Sequence, residues 1–168
     1  KPSWPDGIEI KQYNHPEQAR PLFQTIEDSF KDHYGYVDQD FEIAFKQFSH
    51  QMFNDEGFDP DIWFLAMDGQ KIAGLSLCRK MGRENVEEGY VYYLSVLPEY
   101  RRKGLASSLL IHSFREYFIR NKKTVTLDVD GKNLTGAVAV YKKVGMALYR
   151  QYNQYEIEIR PGRNIRKS

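Results

Sequence analysis

The sequence predicts an α/β fold, a mixed and mostly antiparallel sheet of six to seven strands flanked by about four helices. Three features carry that expectation. Near the start of the chain, one short strand is followed by two runs whose apolar residues fall at helical spacing. Two strand-like runs then meet at Asp68-Gly69, a turn pair suited to a tight antiparallel hairpin. Finally, residues 94–112 pass from a strand end through Pro98 and the basic loop Arg101-Arg102-Lys103-Gly104 into a helix, the connection that a crossover between strands requires.

In order, residues 7–13 alternate Ile8 and Ile10 with charged residues and read as a half-buried first strand. Pro16 opens the first helix, where its missing N–H costs least, and Ala19, Leu22, Phe23, Ile26, Phe30 and Tyr34 form its apolar face until Gly35. The second helix sets Phe41, Phe45, Phe48 and Met52 on one side. Between them, His33-Tyr34-Gly35-Tyr36 suits either aromatic packing at a helix corner or contact with a substrate. Residues 62–67, 71–80 and 91–96 read as the next three strands, with a polar loop at 81–88. The helix that begins at Leu105 repeats Leu109, Leu110, Phe114, Tyr117 and Phe118 as core positions. Residues 124–130 alternate Val125, Leu127 and Val129, and a short helix then places Ala137, Val140, Tyr141 and Val144 on one face before Gly145. Residues 146–149 and 154–159 read as a closing antiparallel pair, and 160–168 as a basic tail expected to fray.

The 168 residues fit one domain with a substantial core, spanning 1–168. Apolar residues make up 41% and charged residues 28%, a globular composition, and no apolar run approaches the roughly 20 residues that cross a bilayer. No membrane partner is expected. The single cysteine, Cys78, excludes an internal disulfide framework and fits a reducing, cytoplasmic setting; inside a strand-like run it reads as a buried structural thiol. The opening KPSWPDG carries no initiator Met and no leader pattern, as expected of a piece cut from a longer chain. A net charge of +1 conceals an asymmetry: residues 1–100 hold 9 Lys/Arg against 18 Asp/Glu, and residues 101–168 hold 15 against 5. A near-neutral total and the lack of a helix with a continuous basic face argue against nucleic acid, whereas a basic half suits a phosphorylated ligand.

That basic half begins at the loop. A helix N-terminus offers N–H groups without intrahelical partners and carries roughly +0.5 charge, so it suits a phosphate, and Gly104 lets the backbone approach one closely. A solvated basic turn before an ordinary core helix would show the same residues. The pattern Arg101-x-x-Gly104-x-Ala106, after the turn Val96-Leu97-Pro98, resembles the coenzyme A pyrophosphate loop of the GNAT superfamily of N-acetyltransferases. The order of elements resembles that fold over nearly the whole chain. A second group of positions agrees: Asn133 after the fifth strand, Tyr141 on the following helix, and Gly145-Met146 where relatives usually have Gly-Phe. The form Asn133-x-Thr135-Gly136-Ala137 looks most like the tandem-domain branch that includes mycothiol synthase, whose second domain has a start similar to Trp4-Pro5-Asp6-Gly7. That likeness implies a second GNAT domain or a homodimer partner.

The resemblance implies an acetyl-CoA-dependent N-acetyltransferase acting on a primary amine of a small molecule or peptide by direct attack in a ternary complex, with no metal. It implies that Leu94, Ser95 and Val96 present backbone amides to the acetyl and pantetheine groups. Arg101, Arg102, Lys103, Gly104, Leu105, Ala106 and Ser107 would hold the pyrophosphate, and Asn133 would bond the pantetheine arm or simply cap a helix. Tyr141 becomes the candidate acid for the departing thiolate, or a core aromatic. Many relatives carry a Glu where this chain has Tyr90, which leaves Glu88 as a base acting through water or as a solvated strand end. The missing Glu also keeps open a non-catalytic acyl-CoA-binding domain that supports a partner domain. Other chemistry lacks its residues: Asp128-Val129-Asp130-Gly131 has no third acidic ligand or closing Glu for calcium, and His15, His33, His50 and His112 show no metal spacing.

Overall fold

The computed structural model describes residues 1–32, 36–129, 136–153, 155 and 157–160. Its elements run β1 (Ile8–Gln12), α1 (Ala19–Phe30), α2 (Phe41–Phe53), β2 (Phe58–Asp68), β3 (Lys71–Arg79), β4 (Glu88–Val96), a single 3-10 turn (Pro98–Tyr100), α3 (Leu105–Ile119), β5 (Thr124–Thr126) and α4 (Ala137–Lys143). The strands lie in sequence order, β1 to β4 antiparallel and β5 parallel to β4. The mixed sheet and the four α-helices agree with the sequence; the strand count, five among the described residues, falls short of the expected six to seven.

The shortfall is at the C-terminal end. Residues 146–149 form no strand, and Leu148, Tyr149, Tyr155, Ile157 and Ile159 stand in solvent; Gln154, Glu156 and residues 161–168 lie outside the described residues. Alternating residues need a strand beside them, and β5 offers an edge of only three residues. At the other end of the sheet β2 begins four residues earlier than the expected strand, because a register shift between Phe58 and Trp63 accommodates Pro60. Gly69 takes φ 57° in the turn between β2 and β3, as the Asp68-Gly69 pair predicts.

Neighbouring side chains on β2 show which helices cover which face. Trp63 packs on Phe53 of α2, whereas Phe64 packs on His112 of α3, so α1 and α2 cover one side of the sheet and α3 the other. Leu22, Phe23 and Ile26 of α1 and Phe48 and Met52 of α2 are buried on the first side, and Leu105, Leu109, Leu110 and Tyr117 of α3 on the second. Asp40 caps α2 by accepting from the N–H groups of Glu42 and Ile43. Phe118 corrects the sequence reading. It is 80% exposed, since it sits about 100° further round the helix than Tyr117 and past the buried arc. Cys78 is buried and free, its thiol pushed up by burial.

Candidate active site

The parallel pair β4–β5 sets the geometry. It holds for three rungs, Glu88↔Thr124, Gly89↔Val125 and Tyr90↔Thr126, and then β5 ends while β4 runs on to Val96 beside β3. Between Val91 and Val96, β4 therefore has a strand on one side only among the described residues, which leaves its outer backbone edge unpaired there. The bend has a cause in β4 itself. Leu77 pairs with Tyr93 and Cys78 with Val91, so Tyr92 is one extra residue, a bulge that raises the twist and turns the strand away from its neighbour.

The bulge also turns two consecutive tyrosines to the same face. Tyr92 accepts a 2.7 Å hydrogen bond from Gln51 Nε2 of α2, and Tyr93 packs on Phe30 of α1 and Phe48 of α2. Burial pushes the Tyr93 phenol up to about 12. Leu94 and Val96 are half-buried with apolar side chains, which leaves their backbone as the polar feature of this edge. Ser95 is buried, and its hydroxyl has no partner among the described residues.

Beyond Val96 the chain turns through Pro98–Tyr100 into the basic loop. Arg102 takes φ 62° and Gly104 φ 84°, left-handed conformations that aim successive N–H groups to one side and form a concave nest. Arg101 N–H donates to Pro98 O, and the first backbone bond of α3 runs from Ser108 N–H to Gly104 O at 3.1 Å. Between them, the N–H groups of residues 102–107 donate to no acceptor among the described residues. A Cβ built on Gly104 would meet nothing within 4 Å, so the nest opens on space. These observations fit a bound pyrophosphate: free donors, the positive end of α3, and room.

The three basic side chains of the loop do different things. Arg102 and Lys103 are exposed, Lys103 lying 5.4 Å from the centre of the Tyr100 ring. Arg101 turns the other way. Its guanidinium makes a two-pronged ion pair with Asp32, just past α1, and donates to Ser29 O at 2.7 Å and Val96 O at 3.2 Å. Its charge is thus paired within the protein's own surface, where it ties the loop to the end of α1. Leu105 is buried under the loop, and Ala106 and Ser107 are half-buried at the start of α3.

Tyr141 lies on α4, half-buried against the core with Val140 and Val144. Burial raises its phenol pKa, which keeps the proton on in the neutral range, and the hydroxyl has no hydrogen-bond partner among the described residues. Asn133 lies outside the described residues. Glu88 is set apart from the parting point: it accepts from the Thr126 hydroxyl at 3.0 Å where β4 and β5 are still paired, and six residues, about 20 Å of strand, separate it from Leu94. Its first-rung position, fixed by the parallel pairing, is the reason.

The sequence reading missed three side chains. Asp32 holds Arg101 across 69 residues of chain, and no local pattern signals such a pair. Asp128 and Arg83 surround the Tyr90 hydroxyl: Tyr90 donates to Asp128 Oδ2 at 3.0 Å, and Arg83 Nη2 lies 3.2 Å from the phenol and 3.0 Å from that carboxylate oxygen. Tyr90 itself is clamped from the far side of the sheet. Tyr117 of α3 accepts from Tyr90 N–H at 3.1 Å, and its hydroxyl lies 2.9 Å from Tyr90 O and 2.8 Å from Arg79 O.

Comparison with known proteins agrees with this geometry. The acetyltransferase (GNAT) family model matches residues 19–146. Among curated proteins, the chain is 23% identical over 149 residues to N-alpha-acetyltransferase 30 of Schizosaccharomyces pombe, covering 88% of this chain and 89% of that one. It is 27% identical to mycothiol acetyltransferase of Streptomyces bingchenggensis over 94% of its own length, but spans only 49% of that protein. Among solved structures, a GCN5-related N-acetyltransferase from Sphaerobacter thermophilus superposes with a TM-score of 0.65 at 27% identity, covering 87% of this chain and 43% of the other. An aminoglycoside acetyltransferase from an uncultured soil metagenomic sample gives the same TM-score at 18% identity over 92% of this chain and 98% of its own, a likeness of fold.

Proposed function

The chain belongs to the acetyltransferase (GNAT) family and is an acyltransferase, and from that premise we propose that it transfers an acetyl group from acetyl-CoA to a primary amine by direct attack in a ternary complex. One observation carries the reading: among the described residues, the N–H groups from 102 to 107 have no acceptor and follow directly on the stretch of β4 that has no strand on its outer side. Residues 1–168 act as one acetyltransferase domain.

In this reading the nest from Arg101 to Ser107 holds the pyrophosphate by main-chain donors. Arg102 and Lys103 add charge, and Arg101 fixes the loop from behind. The amides of Leu94 and Val96, on either side of Ser95, face the acetyl carbonyl and the pantetheine arm, where they stabilise charge that develops on oxygen as the amine attacks. Asn133 borders the same arm. Tyr141 holds a proton for the departing thiolate. The loop sits at the start of α3, and the tyrosines of β4 face α1 and α2, so acyl donor and amine enter from opposite sides of the sheet. Among the described residues no group of three or more acidic, histidine or cysteine side chains could hold a metal, and nothing in the proposed steps calls for one.

The relatives' names supply two acceptor classes, a peptide α-amine and a small-molecule amine. A second acetyltransferase domain, or a second copy of this chain, is the proposed partner, since the mycothiol acetyltransferase it resembles is about twice its length. A cytoplasmic setting suits the lone buried Cys78; among the described residues no helix is long and apolar enough to cross a membrane. The test is release of free thiol from acetyl-CoA with unblocked tetrapeptides, an aminoglycoside and an amino sugar. Turnover with any of them supports the reading. Tight acetyl-CoA binding without turnover would favour the non-catalytic alternative.

A further inference from the structure

An amine that attacks a thioester must lose a proton. As the nitrogen–carbon bond forms, the nitrogen becomes a much stronger acid, and a carboxylate within reach can take that proton. Several carboxylates around β4 are already engaged or badly placed. Asp32 is held by Arg101, Glu27 accepts from Tyr36 at 3.0 Å, and Glu88 lies back along the paired rungs in the grip of Thr126.

Asp128 is placed differently. Thr126 is level with Tyr90 in the last rung of the pair, so two residues further on Asp128 enters the region where the strands part. That is the level of the Tyr92 bulge, and from there Leu94 is two residues away, about 7 Å along the strand. Its side chain is 54% exposed, so an amine can reach it. Oδ2 is occupied by the Tyr90 hydroxyl and by Arg83, whereas Oδ1 has no partner among the described residues. The face is right as well. Gly89 points at Tyr117 of α3, so Tyr90, the next residue, points to the α1–α2 side of the sheet, the side of Tyr92 and Tyr93.

We infer that Asp128 is the proton acceptor for the attacking amine, through Oδ1, and that Tyr90 and Arg83 are positioning residues that hold the carboxylate by Oδ2. The inference rests on the acetyl-transfer reading above and supplies the base which that reading lacks. In the step, the amine nitrogen bonds the acetyl carbon while its proton passes to Asp128 Oδ1. The carbon–sulfur bond then breaks, the thiolate takes the proton from Tyr141, and both side chains re-equilibrate with water. Tyr90 is 5% exposed and clamped at its backbone by Tyr117, so its hydroxyl is a fixed post for a carboxylate that lies two residues past the end of β5. Burial raises the Tyr90 phenol pKa, with Asp128 adding to the effect, so it remains a donor through the neutral range. Among the described residues, the charged and titratable groups facing Asp128 are Arg83 from the loop before β4 and Tyr90 from β4, with Tyr92 next to them.

The experiment follows thiol release from acetyl-CoA with unblocked tetrapeptides, an aminoglycoside and an amino sugar as probe amines, in the parent, Asp128→Asn, Asp128→Glu and Tyr90→Phe, between pH 6 and 9.5. Calorimetric acetyl-CoA affinity and melting temperature are measured beside it. Asp128→Asn should lower kcat at pH 7 by about 10²-fold, and the deficit should shrink as pH rises and water or hydroxide deprotonates the amine. Asp128→Glu should recover part of the rate, and Tyr90→Phe should lose about 10-fold in kcat with KM nearly unchanged. Acetyl-CoA affinity should be the same in all four. An Asp128→Asn variant with the parent's rate and pH profile overturns the assignment and leaves acetyl transfer standing. So does a deficit that is constant across the pH range. A parent that binds acetyl-CoA yet acetylates none of the probes overturns acetyl transfer, and the assignment with it.

Discussion

Replacing Gly89 by alanine should destabilise the domain more than any other single-methyl insertion in β4. A Cβ at that position would lie 2.5 Å from Cδ1 and Cε1 of Tyr117 and 2.7 Å from its Cζ, where carbon contacts need about 3.5 Å or more. The ring cannot simply lean away, because Tyr117 is 1% exposed and its hydroxyl is engaged by Tyr90 N–H, Tyr90 O and Arg79 O. Overpacking of this kind costs about 1–3 kcal/mol, and displacing a buried hydroxyl from its partners adds about 1–3 kcal/mol. Against that, alanine regains roughly 0.5–1 kcal/mol of the backbone entropy that glycine loses in a strand. The net expectation is a loss of about 3 kcal/mol. In a chain of 168 residues, each kcal/mol moves the melting temperature by about 2–4 °C, so circular dichroism should show a fall of roughly 6–12 °C. In a Tyr117→Leu background, the same glycine change should cost much less, because the atoms it strikes are gone. A Gly89→Ala variant as stable as the parent, or one with the same loss in both backgrounds, would refute the packing described for this rung. Since Tyr117 also clamps Tyr90, a folded Gly89→Ala variant is expected to lose kcat as well.

Three further outcomes are expected. Gly104→Val should weaken acetyl-CoA binding at least 10-fold by calorimetry and, because φ is 84°, should also cost about 1–2 kcal/mol of stability; unchanged affinity in a folded variant would remove the pyrophosphate from this loop. Arg102→Gln and Lys103→Gln should each weaken acetyl-CoA binding modestly and reduce its salt dependence, whereas Arg101→Gln should lower the melting temperature with little change in that salt dependence, since its charge already faces Asp32; equal salt effects from all three would contradict the ion pair. Tyr141→Phe should lower turnover on the order of 10²-fold while leaving acetyl-CoA affinity and melting temperature nearly unchanged, and full activity would make Tyr141 a core aromatic.

How far the sequence is legible depends on whether a feature is local. The helices α1 and α2 repeat their apolar residues at 3.6 spacing, and Asp68-Gly69 carries its turn in two residues, so these could be read directly. The loop from Arg101 to Gly104 was visible for the same reason. The Tyr92 bulge was not, because it exists only in the register of β4 against β3, and neither strand alone shows an extra residue. The direction of Arg101 was invisible too: three consecutive cations look alike until one of them meets Asp32. In the alternating run 154–159, Gln154 and Glu156 lie outside the described residues, and Tyr155, Ile157 and Ile159 stand in solvent. Asp128 carries no local signal of a role, since its partner Tyr90 is 38 residues away and the short reach of β5 cannot be foreseen from Val125, Leu127 and Val129.

Whether residues 102–107 and the outer edge of β4 together hold the acyl donor is tested by amide chemical-shift mapping during titration with acetyl-CoA. Large, saturable shifts are expected at the amides of Arg102 to Ser107 and at Leu94 and Val96, with β1 and the outer face of α2 unmoved. Saturable shifts that leave the 102–107 amides untouched, or that gather on another surface, would contradict it.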